Sequence, residues 1–346
     1  MKKFDFVIGN PPYQDRAEGT STSDDPIYNY FMDEAYRISE KTILITPARF
    51  LFNAGKTPKS WNKKILNDEH FKVLKYTQKS SNIFRTTDIK GGIAITYYDN
   101  SKKFDPIITF SSFEELNSIR KKVVNYEGFE NIKSIIDIQS KFNLEELYKD
   151  YPEYRKVIGS GGKDKRLRQI IMERLPEIFK ENEGKENYKI LGLIKKKRAY
   201  RYIKKKYIED SEVIHKYKVF VPAANGSGAI GEVLSTPLIG EPLIGEPLIG
   251  NTQTFISFGR FSTRQEAEAM LKYLKTKFCR TLLGTLKITQ GNNKETWTNV
   301  PIQDFTENSD IDWSQSIPEI DQQLYKKYNL SKEEIDFIEE KVQEMK

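Results

Sequence analysis

The sequence predicts an α/β chain, on three observations. A short apolar run, Phe4 to Gly9, stops at a stiff polar turn; strand and helix patterns then alternate as far as about Tyr126; beyond that point loops, short strands and charge clusters take over. The first part reads as a portion of a mostly parallel sheet, and the rest as an irregular α+β region.

The turn that closes the first strand is Asn10-Pro11-Pro12-Tyr13. Two prolines fix φ and remove two backbone donors, so the loop is stiff and the carbonyls of Asn10 and Pro11 are left free to point into a site. Asn and Pro are also ordinary turn formers, so the same four residues fit a plain strand-ending turn. A polar stretch, Thr20 to Asp25, precedes a helical pattern over Ile27 to Ile38, and Thr42-Ile43-Leu44-Ile45-Thr46 reads as a buried strand. Pro47-Ala48-Arg49-Phe50-Leu51-Phe52-Asn53 comes next. Further on, the glycine pair Gly91-Gly92 leads into a strand, Ile93 to Tyr98.

Basic residues concentrate between Lys195 and Tyr207, where Lys195, Lys196, Lys197, Arg198, Arg201, Lys204 and Lys205 are interleaved with tyrosines. Such a segment suits a DNA-facing wall, because lysine and arginine neutralise phosphates and release counterions. A solvated face is the plainer alternative. A second basic knot, Lys163 to Arg168, follows the glycine-rich 159–162. The run Asn225 to Gly231 has the glycine spacing of a nucleotide loop, but a proline repeat follows in place of a helix, so it reads as a loop. That repeat starts at Pro237, Pro242 and Pro247, each time Pro-Leu-Ile-Gly, and is expected as a surface loop or edge excursion of variable copy number. After the strand Phe255 to Phe258, a helix begins at Thr263 with Glu266 three residues on, a capping box, and carries an apolar face of Met270, Leu271, Leu274, Phe278 and Leu282. Two more helices are expected, from Pro318 to Lys327 and from Ser331 to Lys346.

Composition sets bounds. The 346 residues are 38% hydrophobic and 12% aromatic, enough for a core in each of two domains. Fifty-six basic residues outnumber 49 acidic ones for a formal charge of +7, which favours a polyanionic partner. The single cysteine, Cys279, excludes an internal disulfide and a cysteine zinc cluster and reads as a core residue; neither histidine has metal-ligand spacing, and no metal is expected. No run approaches membrane-span length, and no signal peptide is present, which fits the cytoplasm. No nuclease-type carboxylate cluster is found.

The run Asp5 to Gln14 resembles the catalytic motif of DNA methyltransferases that modify the exocyclic amine of adenine, in the gamma class joined to type II restriction-modification systems. The resemblance implies that the Asn10 side-chain oxygen and the Pro11 carbonyl accept the two amine hydrogens, with Pro12 and Tyr13 completing the motif and Tyr13 stacking on a flipped base. Pro47 to Asn53 and Asp88 to Tyr98 are similar to two later blocks of these enzymes, which makes Arg49 a candidate phosphate contact. By the same resemblance Tyr97 is the candidate second stacking residue, since only one of Tyr97 and Tyr98 can face the pocket. The segment from Lys275 to Gln290, with Trp297 and Val300 to Phe305, is similar to the end of their target-recognition domain.

In that family the S-adenosylmethionine site lies upstream of the motif, so it is expected largely outside this chain. The expected organisation is 1–125, a partial catalytic domain forming the second half of a Rossmann-like methyltransferase sheet; 126–305, a target-recognition domain; and 306–346, a helical tail. The expected function is adenine-specific DNA methyltransferase of a restriction-modification system. Double-stranded DNA is the expected substrate, and an upstream methyltransferase or restriction subunit the expected partner. A non-enzymatic DNA-binding specificity module of such a complex is the alternative.

Overall fold

The computed structural model describes residues 4–15, 25–53, 55–77, 80–84, 89, 91–111, 113–159, 161–225, 230, 238–287 and 291–345. They form two compact units that meet at Glu114/Glu115, earlier than the boundary expected after residue 125. Most of the stretches Thr20 to Asp25 and Asn225 to Gly231, and the first proline of the repeat, lie outside the described residues.

In the first unit, strand β1 (Phe4–Gly9) leads through the Asn10 turn to a two-residue ladder of β2 (Gln14–Asp15) with β3 (Asp25–Pro26), then to helix α1 (Tyr28–Ile38) and strand β4 (Ser39–Pro47). Helix α2 (Lys59–Leu66), strand β5 (Phe71–Thr77) and strand β6 (Ile93–Asp99) complete it. The sheet order is β1-β4-β6-β5. Three of the four strands share a direction, as expected of a mostly parallel sheet. β1 and β4 pair in parallel and β5 runs the same way, while β6 is inserted between β4 and β5 and runs antiparallel to both. Alternation decides which side chains meet the helices. Leu44, Phe71 and Ala94 point to the side where Met32 and Tyr36 of α1, Phe50 and Trp61 form one buried cluster. The chain turns from α1 into β4 because Ser39 Oγ donates to the Ala35 carbonyl at 2.8 Å and Asn100 Nδ2 donates to the Ser39 carbonyl at 2.9 Å.

The opposite face of the same sheet is open. On β1, Phe4, Phe6 and Ile8 fall on one side, two residues apart, and are 53, 62 and 74% exposed. Ile43, the register partner of Ile8, and the Ile45–Ile95 pair farther along the sheet are only half-buried. With β1 the terminal strand, both an apolar face and a backbone edge lie uncovered.

The second unit opens with α3 (Glu114–Val124), then β7 (Ile136–Asp137), α4 (Leu144–Asp150), α5 (Arg155–Ile158), α6 (Ile171–Arg174) and the hairpin β8 (Asn187–Ile194) and β9 (Lys197–Lys204). Strands β10 (Tyr217–Pro222), β11 (Leu243–Gly245), β12 (Ile249–Asn251) and β13 (Phe255–Phe261) follow, and then helices α7 (Arg264–Lys275), α8 (Lys277–Gly284), α9 (Ile317–Lys327) and α10 (Lys332–Lys341). Two sheets result, β11-β10-β13-β7 and β12-β8-β9.

The Thr263 capping box forms, with both reciprocal bonds present. The single long helix expected beyond it is broken at Thr276, whose extended backbone (ψ 146°) ends α7 while its hydroxyl accepts from the Cys279 N–H and caps α8. The helical tail is not set apart. Asp321 on α9 accepts the N–H groups of Lys277 and Phe278 at 3.0 and 2.9 Å, closing the start of α8, and Ile320, Leu324, Tyr325, Phe337 and Ile338 are buried.

The proline repeat makes the expected edge excursion in two of its copies and is buried in the first. Its first copy buries Leu238 and Ile239 completely, its second supplies β11 at the edge of one sheet, and its third supplies β12 at the edge of the other. Proline and glycine keep each copy out of a central strand, as expected. Three copies of one tetrapeptide, Pro-Leu-Ile-Gly, therefore occupy three different environments.

Lys218 is 1% exposed on β10, and its ammonium donates to the carbonyls of Val213 and Lys216, each at 2.8 Å. Burial pushes the amine down to about 7, against a weaker opposing pull from Asp137. An unfolded lysine titrates near 10.4, so above pH 7 the unfolded chain holds this proton and the folded chain gives it up; stability therefore rises with pH. The window closes near pH 8.5, where the buried Cys279 thiol, raised by burial, acts in the opposite direction. Urea midpoints should rise between pH 7 and 8.5, by about 1 to 2 kcal/mol of stability, and Lys218→Met should flatten that slope. An unchanged slope in the variant would refute the assignment.

Candidate active site

The parallel ladder of β1 with β4 ends at Gly9 opposite Leu44, and the chain then leaves the sheet through Asn10, Pro11 and Pro12. Beyond them the Tyr13 carbonyl accepts the Ile27 N–H at 3.2 Å and Gln14 joins the β2–β3 ladder, so the turn is anchored at both ends. Prolines stiffen what the anchors hold. No hydrogen bond ties the Asn10 side chain or the Pro11 carbonyl to another described residue, and both line a cavity of about 870 Å³. That volume lies within the range of small-molecule pockets and admits a flat ring with room to spare.

Tyr13 forms one wall. Its ring packs on the α1–β4 core, and its hydroxyl is buried with no partner among the described residues. Burial raises its phenol to about 12, so it is neutral at any physiological pH.

Tyr28, the first residue of α1, is a second aromatic on the lining and is 4% exposed. Its burial places it beside Thr57, which also lines the cavity and is held in turn: Thr57 Oγ1 donates to Asn62 Oδ1 at 2.7 Å, and Asn62 Nδ2 donates to Asn53 Oδ1 at 3.2 Å. Sequence reasoning passed over Tyr28 and Thr57. The available signal was an aromatic at the start of the helix that follows the motif.

Arg49 lines the same cavity from the 3₁₀ turn Arg49–Phe52 that follows β4. Its stem lies across Gly91: a Cβ there would stand 2.6 Å from Arg49 Cγ, and Gly91 has φ +88°. The glycine pair thus makes room for the arginine, with Ala48 N–H donating to the Gly92 carbonyl at 3.0 Å. Around the cavity the cationic side chains are Arg49 and Lys56, and no described lining residue is a carboxylate.

Tyr97 is not brought here. It sits on β6 opposite Ile43, four residues along from Ile93, which pairs with Pro47 at the cavity, or roughly 13 Å away. Its hydroxyl donates to Asp99 Oδ2 at 2.6 Å, a bond that helps hold the Asp99 carboxyl down at about 2. Tyr98 is turned the other way, stacked on Tyr36 at 4.0 Å between ring centroids. The aromatic partner facing Tyr13's cavity is Tyr28 instead.

The basic candidates belong to the second unit and divide into two groups. Arg201 pairs with Glu181 at 2.7 Å, Arg198 donates to the Glu241 carbonyl, and Lys205 lies over the Tyr188 ring. Lys195, Lys196, Lys197 and Lys204 are exposed and form no ion pair among the described residues.

Residues 1–84, which carry the turn, α1, β4 and Arg49, match the family described as Eco57I restriction-modification methylase. This segment is methylase-like. The match ends inside the first unit and leaves the second unit uncovered. No curated protein matches the chain. Among solved structures, that of the type IIG restriction endonuclease BpuSI aligns over 93% of this chain and 50% of its own length, at 11% identity and a TM-score of 0.36. The chain spans half the length of that structure, and a likeness of this strength carries no argument about function. No described group of His, Cys, Asp or Glu side chains could hold a metal ion, and no described helix is long and apolar enough to cross a membrane.

Proposed function

We propose that the chain is the methyl-acceptor half of an adenine-specific DNA methyltransferase, a cytoplasmic component of a restriction-modification system. One observation carries the reading: Asn10 and Pro11 leave the end of a parallel strand with oxygen acceptors that no described residue engages, and they line a cavity roomy enough to admit a flat ring. The exocyclic amine of adenine is a poor nucleophile because its lone pair is shared with the ring. The Asn10 amide oxygen and the Pro11 carbonyl would accept its two hydrogens and hold the nitrogen with its lone pair outward. Preorganised acceptors of this kind need no rearrangement at the moment of reaction. Tyr13 and Tyr28 supply apolar walls for the ring, and Arg49 a cation for a phosphate beside it.

S-adenosylmethionine would supply the electrophilic methyl group. The residues around this cavity fit the acceptor base and not that cofactor, because no described carboxylate is present to take a ribose hydroxyl. The open face and edge of β1 support a second polypeptide segment that carries the cofactor site. A strand added at β1 would satisfy the free backbone edge, and a helix lying on Phe4, Phe6 and Ile8 would bury the apolar row. The non-enzymatic specificity module remains the second reading, favoured by the basic residues of the second unit.

The test is transfer of a labelled methyl group from S-adenosylmethionine to mixed-sequence duplex DNA, by the chain alone and with the upstream polypeptide. Incorporation that appears only with both present, in adenine, is the expected result. Label in cytosine, or none with both present, would refute the proposal.

A further inference from the structure

The tip of the β8–β9 hairpin is built against local preference. Ile194 pairs with Lys197, so the connection is the two residues Lys195 and Lys196, with φ of +47° and +63°. Two positive φ values in succession are the mark of a type I′ turn, for which Asn-Gly is the favoured sequence because side chains with a Cβ resist that region. Here both positions hold lysine. Strained backbone of this sort persists where the side chain it displays is used.

What the strain displays is a cluster of charge at the tip of the hairpin. Lys195, Lys196, Lys197 and Arg198 are four successive exposed cations, and the three lysines have no ion-pair partner among the described residues. Strand β12 accompanies β8 only from Lys189 to Leu191, but past Leu191 the arms stay packed on the unit: Gly192 is buried against Met172 and Thr252, Leu193 and Tyr200 pack on the cluster of Leu191, Phe220 and Phe255, Ile194 packs on the larger core, and the Arg198 guanidinium lies over the Phe255 ring. What stands exposed is the turn itself, and its two lysines are placed to neutralise phosphates.

We infer that the β8–β9 turn lies against the DNA backbone and that Lys195 and Lys196 contact its phosphates. The inference rests on the proposed action on DNA. The cations farther from the turn, Arg201 and Lys205, hold the unit together instead.

The double variant Lys195→Asn/Lys196→Gly separates display from folding, because it installs the favoured turn sequence while removing both charges. The full chain and this variant would be titrated with a fluorescent mixed-sequence DNA duplex at several salt concentrations, alongside melting curves. The expected result is at least tenfold weaker binding near 0.1 M salt, a salt slope reduced by about 1 to 2, and a melting temperature equal to or above that of the parent. Parent-like affinity and slope in the variant would overturn the role of the hairpin. A parent chain that binds no duplex would instead overturn the DNA reading on which the inference rests, and Asn10→Ala, in the other unit, tests the methyl-transfer reading separately.

Discussion

Replacing Asn10 with Ala is expected to lower the rate of methyl transfer by the assembled enzyme at least about 100-fold, since it removes one preorganised acceptor from the reacting amine. Binding of duplex DNA should change less than about twofold, and so should the melting temperature. Asn10 is exposed, lies outside the strand ladders and touches no core cluster, so little structure depends on it. The separation is the informative part. A specificity module that merely retains the loop would lose nothing on this substitution, whereas a general folding defect would lower rate, binding and melting temperature together. Single-turnover transfer rates beside anisotropy titrations distinguish the three outcomes. Asn10→Asp is a sharper companion: it keeps the size and one acceptor oxygen but adds a charge beside the amine, and should restore only a small part of the rate.

Deleting one Pro-Leu-Ile-Gly-Glu copy should be nearly as damaging to folding as the first substitution is to chemistry. The two remaining copies still spell the sequences of β11 and β12, but the chain then lacks the residues that fill the positions of Leu238 and Ile239, both fully buried. Loss of a buried Leu or Ile side chain costs about 2 to 5 kcal/mol, and two are lost. Nor can the chain cover the same path with five residues fewer, because β11 pairs with β10 in one sheet and β12 with β8 in the other. A loss of about 4 kcal/mol or more, seen as a melting transition roughly 10 °C lower for the second unit, is expected. A deletion variant melting within a few degrees of the parent would mean that the buried copy is dispensable after all.

Local signals in the sequence held where the element was decided locally. The run Phe4 to Gly9 is a strand ending at the prolines, the helix expected at Ile27 begins at Tyr28, and the capping box of Thr263 with Glu266 is formed bond for bond. The differences arise where distant segments meet. Nothing near Ile93 to Asp99 says that this strand slots between β4 and β5 and runs against the other three, since that choice is made by pairing across the sheet. Thr276 looks like one more helical residue until its hydroxyl is found capping the next helix. The repeat is the extreme case, because identical sequence can carry no information about three different destinations. In the candidate site, the motif residues and Arg49 came from one stretch of sequence and were legible together. Tyr28 and Thr57 reach the cavity through packing of α1 and the segment before α2, and Tyr97 was misassigned because strand alternation gives its face but not its distance from the cavity.

The open edge of β1 also sets a contest. A row of unpaired backbone groups beside Phe4, Phe6 and Ile8 accepts any extended strand that offers complementary groups, including the β1 of another copy of the same chain. Completion of the sheet by its proper neighbour and edge-to-edge joining of two identical chains use the same atoms, so they exclude one another. If the neighbour is a separate polypeptide, supply decides the winner: scarcity of the neighbour leaves edges free to find each other, at a rate that grows with the square of their concentration. Balanced production of the two would then be a requirement of solubility before it is one of catalysis.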